Sequence, residues 1–379
     1  MEEISFRTKI FIGEHALDRL NQITAERIFI VTDPFIEKSG MTAEVTNRLQ
    51  SKDNEYQIFS DIVPDPPIET VAAGVKVIQE FNPSVLIAIG GGSAIDAAKA
   101  MKDFAIRLSP QQKDMKFIAI PTTSGTGTEV TSFSVITDEV NHVKHPLVSD
   151  ALLPDEAILD THLVKSVPPT VTADTGMDVL THAIEAYVST KANDFSDAFA
   201  EKAVQLIFDY LPRCYKDGND LEAREKVHHA SCLAGLAFNM VGLGINHSIA
   251  HVCGAQFHIP HGRMNALLLT PVIEYNAGLQ GLTHQSFSAA AKKYAQLARV
   301  SGLPAANVRV GINSLIQHIN QLKRELQMPT SLRACGLKKE QVMSALAAIS
   351  EAALKDGCTA TNPRIPTSKE IETIVEKLY

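Results

Sequence analysis

The residues best suited to chemistry are histidines and an aspartate in the middle of the chain. Asp178 and His182 are four residues apart in a segment with helical character, so both project from one face. His247 and His251 repeat that spacing, and His261 follows ten residues later in a His-Gly turn. A carboxylate and several imidazoles can enclose a divalent metal such as Fe²⁺ or Zn²⁺. One such pair is weak support, but the combination predicts a metal site.

Two glycine- and hydroxyl-rich segments follow predicted strands in the first half of the chain. Residues 90–93 (GGGS) come directly after the apolar run 85–89 and open a helix. The free N–H groups and the dipole of a helix start favour an anion such as a pyrophosphate. Residues 121–128 (PTTSGTGT) follow the apolar run 117–120. The first segment is not G-x-G-x-x-G, and a tight turn without a ligand also explains it. Two such loops after adjacent strands predict a nucleotide site.

Asp33 ends the first clear parallel strand, residues 27–32. A carboxylate at this place could accept hydrogen bonds from an adenosine ribose and would repel a 2′-phosphate. A turn-forming aspartate before Pro34 explains the residue equally well.

The elements that would position these residues fall into two groups. Strands alternate with helices up to about residue 160, which predicts βαβ units and a mostly parallel sheet. The expected elements are strands at 4–12, 27–32, 56–62, 85–89 and 117–120, and a helix at Ile68–Phe81. Beyond about residue 165 the pattern is helical, with helices at 286–300, 310–326, 342–354 and 369–378. The last begins with a capping box, Thr367 as N-cap and Glu370 three residues later. We therefore expect an α/β dinucleotide-binding domain at 1–165 and an all-helical metal-binding, catalytic domain at 166–379.

Composition limits the classes of function. The 379 residues carry a net charge of −8, which argues against nucleic acid and anionic membranes as partners. No apolar run approaches the ~18 residues of a membrane span. Five cysteines without a C-x-x-C pair give no disulfide framework, so we expect a reducing, cytoplasmic location.

Taken together, the motifs resemble those of the iron-dependent (group III) alcohol dehydrogenases. The matching segments are GGGSAIDAAK, IPTTSGTGTEVT, VKHPLVSDALLPDEAILD, TGMDVLTHAIEAYVS, GLGINHSIAHVCGAQFHIPHGRMNALLL and TNPR, in that order. The resemblance runs from about residue 5 to the end. Within the family the chain is most similar to the propanol dehydrogenases of propanediol-utilisation operons.

The resemblance implies a role for each matching residue. The metal ligands would be Asp178, His182, His247 and His261, and His251 would be the catalytic proton relay. The cofactor would be bound by Asp33, Gly91, Gly92, Ser93, Thr122, Thr123, Thr126 and Lys144. Phe238 and Cys358 would line the substrate pocket. Asp65 and Arg263 depart from the family's pattern, in which relatives commonly have Asn and an apolar residue, respectively.

The resemblance also implies cofactors, substrates and partners. We expect NAD(H) and Fe²⁺, with Zn²⁺ as the alternative metal, and a short aldehyde or primary alcohol as substrate. The pairs expected are propanal/1-propanol, acetaldehyde/ethanol and lactaldehyde/1,2-propanediol. A homodimer or larger homo-oligomer is expected, with a bacterial microcompartment and its shell or enzymes as possible surroundings.

Three other functions are compatible with parts of this pattern. A dehydroquinate-synthase-like lyase would share the architecture, NAD and the metal, but needs a basic pocket for an acidic substrate. A polyol dehydrogenase such as a glycerol dehydrogenase would have a different metal set. A scaffold protein with relict catalytic parts would have no reason to keep every ligand.

Overall fold

The computed structural model describes residues 4–50, 53–110, 114–139, 143–278 and 287–379. The chain divides into two compact units, Met1–Val167 and Pro168–Tyr379. The expected fold class, a mostly parallel α/β domain followed by a helical one, is confirmed.

The first unit is built on a six-stranded parallel sheet. Its strands are β1 (Lys9–Gly13), β2 (Arg27–Val31), β3 (Glu55–Phe59), β4 (Val85–Gly90), β5 (Lys116–Pro121) and β8 (Glu156–Asp160). They lie in the order β1-β8-β5-β4-β2-β3. Two further strands, β6 (Phe133–Asp138) and β7 (Val143–Val148), form an antiparallel pair. The helices of this unit are α1 (Pro34–Lys38), α2 (Met41–Leu49), α3 (Ile68–Phe81), α4 (Gly92–Leu108) and α5 (Thr161–Val164).

Hydrophobic pattern explains the central elements. Every residue of β4 is buried, as expected for a parallel strand covered on both faces. Helix α3 has the predicted bounds, and its regularly spaced Val71, Val75 and Ile78 are buried. It ends at Asn82, which adopts a left-handed conformation with φ of 48° before Pro83.

Several strands differ from the sequence prediction. β3 ends at Phe59 rather than at residue 62, and β6 was not predicted. β1 begins at Lys9 rather than at residue 4. β8 was not predicted, because acidic residues stand at both of its ends. Glu156 is nevertheless buried, since Arg19 and Lys116 each donate to its Oε1 at 2.7 Å. β7 was not predicted because it contains Pro146, and proline is tolerated there because β7 pairs with β6 alone among the described strands.

The second unit is helical, and within its described residues no strand occurs. Its helices are α6 (Pro169–Val188), α7 (Asp194–Lys216), α8 (Leu221–Val241), α9 (Ile245–Phe257), α10 (His261–Ala277), α11 (Ala289–Val300), α12 (Val308–Glu325), α13 (Lys339–Lys355) and α14 (Ser368–Glu376). The predicted capping box of the last helix is confirmed: Thr367 and Glu370 cap each other. The predicted start of the helix at Ser286 lies outside the described residues.

Among the described helices, no single one is long and apolar enough to cross a membrane. Of these helices, only α8 and α9 taken together reach the length and apolar composition of a membrane span, and they are bent by 109° relative to each other.

Candidate active site and metal centre

Three of the four expected metal ligands meet at one point in the helical unit. Asp178 lies on α6, His247 on α9 and His261 at the start of α10, and their ligand atoms lie within 4.8 Å of one another. The Nε2 atoms of His247 and His261 are 3.6 and 3.5 Å from Asp178 Oδ1. Two donors about 2.1 Å from a tetrahedral metal are about 3.4 Å apart, so this spacing fits a divalent metal with nitrogen and oxygen ligands.

His182, the fourth expected ligand, lies beside this group rather than within it. It follows Asp178 by one turn of α6, and its ring stacks on the rings of His247 and Phe238 at centroid distances of 4.4 and 4.7 Å. Its Nδ1 is buried and has no hydrogen-bond partner among the described residues. Buried polar atoms are rarely left without a hydrogen-bond partner, so this nitrogen indicates that the site binds a further group such as an ion.

An amide that the sequence reading missed lies at the centre of the three donors. Asn265 Nδ2 donates to Asp178 Oδ1 at 2.6 Å and lies 3.1 Å from the Nε2 atoms of both His247 and His261. One carboxylate oxygen and two imidazole nitrogens thus surround one partly positive group, at a place where a cation could bind. Asn265 follows His261 by four residues on α10, and this spacing was the available signal.

Close packing of α10 against α6 brings His261 beside Asp178. A Cβ on Gly262 would lie 2.0 Å from the carbonyl oxygen of Asp174, so only glycine allows this approach. Arg263 then donates from Nε and Nη2 to the two carboxylate oxygens of Asp174 at 3.1 and 2.9 Å. The arginine that departs from the family's pattern is therefore an anchor between these two helices.

The electrostatics of the cluster leave His182 and Asp178 with free lone pairs at neutral pH. Burial lowers the pKa of His182 to about 3. Burial alone would raise the pKa of Asp178, but the charges of His182 and His261 and a hydrogen bond with His247 hold it well below its usual range. Burial also opposes charge on His247, yet hydrogen bonds with Asp178 and Glu185 raise its pKa to about 9. A metal binding at His247 therefore displaces a proton.

His251 is held apart from the three gathered ligands. Its Nδ1 contacts Asp356 Oδ2 at 2.8 Å, and its ring stacks on His261 at a centroid distance of 5.3 Å. Asp356 is fixed in turn, because the backbone N–H of Cys358 donates to Oδ1 at 2.8 Å and Ser248 Oγ does so at 3.3 Å. Burial would raise the pKa of Asp356, but its bond with His251 keeps that pKa well below the usual range. Sequence reading missed Asp356, although an Asp-Gly pair after a helix indicates a capping residue.

The two expected pocket residues border the histidines. Phe238, on α8, stacks on His182 as described above. The Cys358 sulfur lies within 4.8 Å of the ligand atoms of His251 and Asp356. Their role as walls of a substrate pocket stays a prediction.

In the α/β unit, the two glycine-rich segments touch each other. Gly91 is the N-cap of α4 and has no side chain with which to cap that helix. A Cβ on Gly92 would lie 2.7 Å from Thr126 Cγ2, and one on Gly91 would lie 3.5 Å from Thr123 Oγ1. The start of α4 therefore receives no cap from its own N-cap residue and lies beside two threonine side chains, an arrangement that suits an anion.

The other expected residues of these segments lie at the same sheet edge. The Thr122 backbone N–H donates to the Gly90 carbonyl oxygen at 2.9 Å, which joins the loop after β5 to the loop after β4. Ser93 is the second residue of α4 and is half-buried. Both positions match the carboxyl ends of adjacent parallel strands, where α/β proteins bind ligands.

Asp33 and Lys144 already have partners in the protein. Asp33 Oδ1 caps α1 by accepting from Phe35 N and Ile36 N at 2.8 and 3.0 Å, as a turn-forming aspartate does. Its Oδ2 would lie 3.4 Å from a Cβ on Gly90, so the carboxylate borders the glycine loop. Lys144, exposed on β7, contacts Asp65 Oδ1 at 2.6 Å. Asp65, the other departure from the family's pattern, thus pairs with a residue expected to bind the cofactor.

Comparisons with known proteins agree with the motifs. A family profile described as iron-containing alcohol dehydrogenase matches residues 7–161, and one described as Fe-containing alcohol dehydrogenase family, C-terminal, matches residues 172–379. The chain is 46% identical to the 1-propanol dehydrogenase PduQ of Citrobacter freundii, with 100% of both proteins covered. It is 38% identical to an NADPH-dependent butanol dehydrogenase of Clostridium saccharobutylicum, with 98% of this chain and 96% of that protein covered.

A solved structure, the iron-containing alcohol dehydrogenase of Thermococcus thioreducens, matches with a TM-score of 0.89 and 31% identity, covering 100% of this chain and 99% of that one. These matches confirm the resemblance drawn from the sequence motifs. The chain belongs to the iron-containing alcohol dehydrogenase family and is an enzyme that interconverts alcohols and aldehydes.

Proposed function

We propose that this enzyme reduces short aldehydes to primary alcohols with NAD(H) and a divalent metal, and that propanal and 1-propanol are its preferred pair. The observation that carries the metal-dependent part is the convergence of Asp178, His247 and His261. The name of the Citrobacter freundii relative supports the propanal pair. We expect acetaldehyde/ethanol and lactaldehyde/1,2-propanediol to be the next-preferred pairs.

The metal would be held by Asp178, His182, His247 and His261. Fe²⁺ is the metal in the family's name, and Zn²⁺ suits the same donors, so availability decides between them. When bound, the metal would supply Lewis-acid polarisation of the substrate oxygen. The chain's own part is to hold the Nε2 atoms of His247 and His261 3.5–3.6 Å from Asp178 Oδ1, with all three ligand atoms within 4.8 Å of one another.

His251 would deliver the proton to the product oxygen. Its Nδ1 is engaged by Asp356, so Nε2 is the atom left to exchange a proton with substrate or water. A side-chain exposure of 37% gives it the contact with solvent that the buried ligand His247 lacks. This difference in burial supports separate roles for the two histidines of α9.

NAD(H) would be bound by the loops of the α/β unit. Gly91, Gly92 and Ser93 would hold the pyrophosphate at the start of α4, and Thr122, Thr123 and Thr126 would line it. Lys144 would contact the nicotinamide half. Asp33 would disfavour the 2′-phosphate of NADP because a carboxylate repels that anion. Because the Clostridium saccharobutylicum relative is named for NADPH dependence, the experiment below compares NADH with NADPH.

We also propose a homodimer or larger homo-oligomer. β1 lies at the edge of the sheet, where Ile10 and Ile12 on it are 38% and 60% exposed. An uncovered edge strand with apolar side chains is a ready surface for pairing with a second chain. Light scattering after size-exclusion chromatography tests this proposal.

The place of action we propose is the cytoplasm, within a bacterial microcompartment of propanediol breakdown. All five cysteines are free, which suits a reducing compartment. The motifs shared with propanol dehydrogenases of propanediol-utilisation operons support the microcompartment.

The test is coenzyme oxidation by the Fe²⁺-loaded enzyme under anaerobic conditions. Propanal, acetaldehyde, lactaldehyde and butanal are compared at equal concentrations, each with NADH and with NADPH. We expect the highest kcat/KM with propanal and NADH. A higher value with butanal, or with NADPH, would overturn the corresponding part of the proposal. Turnover of glycerol in place of the aldehydes would favour the polyol dehydrogenase. Turnover of an acidic substrate of the dehydroquinate synthases would favour the lyase.

A further inference from the structure

Glu185 is a buried carboxylate that none of the roles above uses. It lies on α6, three residues beyond His182, and only 3% of the residue is exposed. Its Oε1 accepts from the backbone N–H of Asn246 at 2.7 Å, and its Oε2 contacts His247 Nδ1 at 2.5 Å. Both oxygens are therefore committed to consecutive residues at the start of α9.

The first of these bonds fixes Glu185 at a helix terminus. α9 begins after Gly244, and the residue at that N-cap position has no side chain with which to cap the helix. A Cβ on Gly244 would lie 2.7 Å from Glu185 Oε1 and also 2.7 Å from Asn362 Oδ1. Two side chains from outside α9 thus cap it, since Asn362 Oδ1 accepts from the Ile245 N–H at 3.2 Å. Glu185 thus lies at the positive end of the dipole of α9.

The second bond sets the state of His247. A carboxylate can only accept, so the nitrogen facing it, Nδ1, must carry a proton. In the neutral imidazole that leaves the lone pair on Nε2, and Nε2 is the atom that faces Asp178 Oδ1 at 3.6 Å. The hydrogen bond also restrains rotation of the ring.

We propose that Glu185 is a positioning residue that selects the metal-ligating tautomer of His247 and holds its ring, so that metal affinity depends on this carboxylate. The inference rests on the metal site proposed above. Carboxylates that orient a ligating imidazole typically change metal affinity 10–100-fold when they are removed.

The substitution Glu185→Gln tests this with little change in shape. The backbone N–H of Asn246 can only donate, so the glutamine oxygen must face it, and the amide NH₂ then faces His247 Nδ1. That amide donates, and it therefore favours the tautomer with the lone pair on Nδ1 and the proton on Nε2. Helix capping is retained, whereas the ligating tautomer is disfavoured.

The experiment measures the affinity of the metal-free full chain for Zn²⁺ by competition with a chromophoric chelator, and the melting temperature without and with Zn²⁺. We expect Glu185→Gln to weaken Zn²⁺ binding at least about tenfold. The melting temperature of the metal-free variant should stay within a few degrees of the wild-type value. The increase in melting temperature on adding Zn²⁺ should be smaller for the variant than for the wild type. A purely structural role would instead lower the metal-free melting temperature and leave the affinity of the folded protein unchanged.

Glu201→Gln is the matched control, because Glu201 accepts a 2.7 Å hydrogen bond from Tyr187 Oη on a neighbouring helix of the same unit. It should bind Zn²⁺ within twofold of the wild type. If Glu185→Gln also binds within twofold, the inference is wrong. If Glu185→Gln does not fold, Glu185→Asp replaces it, because the shorter side chain draws the carboxylate away from His247. We expect Glu185→Asp to weaken Zn²⁺ binding at least about tenfold. A Zn²⁺ affinity within twofold of the wild type rejects the inference. Failure of the proposed metal site itself gives a different result, namely a wild type that binds no Zn²⁺ or a His247→Ala variant that binds it equally well.

Discussion

At the scale of single residues, the two histidines of α9 have the same spacing as any helical pair but different surroundings. His247 is buried between Asp178 and Glu185, whereas His251 is partly exposed and bonded to Asp356. A carboxylate engages Nδ1 in both cases, so Nε2 is the working atom of each ring. What separates the roles is burial and the group that Nε2 can reach.

Replacing His251 and His261 by alanine should separate proton delivery from metal binding. We expect His251→Ala to lower kcat about 100-fold, because general acid catalysis contributes roughly that much, while bound metal remains near one per chain. His261→Ala should lose bound metal first, since it removes a ligand. Elemental analysis and steady-state kinetics on both variants check this. Full metal content together with full activity in His261→Ala would show that the ligand assignment is wrong.

Asp356→Asn should impair the same proton step indirectly. The asparagine oxygen is needed by the Cys358 N–H, so its NH₂ faces His251 Nδ1 and disfavours the proton there. We expect kcat to fall about tenfold, comparable to the loss of one hydrogen bond to a charged group, with KM and metal content little changed.

The control for Asp356→Asn is Asp220→Asn, another helix-capping aspartate of the same unit, bonded to Ala223 N and Arg213. It should keep kcat within twofold of the wild type. Equal kcat values for the two variants would mean that Asp356 does not orient His251.

At the scale of elements, local pattern predicted what depends on local sequence. The bounds of α3 follow from its apolar spacing and from Asn82-Pro83, and both features can be read without the fold. β8 could not be read in this way. Its Glu156 is buried only because Arg19 and Lys116 arrive from distant segments to pair with it.

The same distinction applies to the candidate site. Asp178, His182, His247 and His261 were predicted from helical spacing and from the family resemblance. Glu185 and Asp356 were not, because acidic residues are common on helix surfaces and only their long-range partners distinguish these two. Those partners are separated from them by 62 and 105 positions in the sequence.

The loop after β5 contains a buried acid that makes a prediction about pH. Burial raises the pKa of Glu129 from 4.5 to about 7, although the charge of Lys99 acts against the change. The folded state therefore keeps a proton that the unfolded state has already released. The stabilising contribution is full below about pH 4.5 and is lost as the pH rises through about 7.

Glu129→Gln should abolish this dependence. We expect the wild type to lose on the order of 3 kcal/mol of unfolding free energy relative to the variant between pH 4.5 and pH 7.5. Urea denaturation of both proteins across that range measures it, with the exposed Glu80→Gln as control. Parallel curves for wild type and Glu129→Gln would contradict the assignment.

At the scale of the whole molecule, each unit supplies one part of the chemistry. The α/β unit presents a helix start and hydroxyl groups suited to a dinucleotide, and the helical unit gathers carboxylate and imidazole donors suited to a metal. Both parts join distant stretches of sequence: β1 pairs with β8, and Asn362 near the C-terminus caps α9. Composition and net charge say nothing of this assembly, which is why the motifs were needed to predict the function.

The most direct test of the account is stoichiometric metal restoration. The full chain is stripped with a chelator under anaerobic conditions, and propanal-dependent NADH oxidation is followed as Fe²⁺ is added, for the wild type and for Asp178→Asn. We predict that stripped wild-type protein is inactive, that its activity rises in proportion to bound Fe²⁺ and levels off at one per chain, and that Asp178→Asn recovers little activity at the same total Fe²⁺. Full turnover by the stripped enzyme, or equal recovery by Asp178→Asn, would contradict a metal centre at Asp178, His247 and His261.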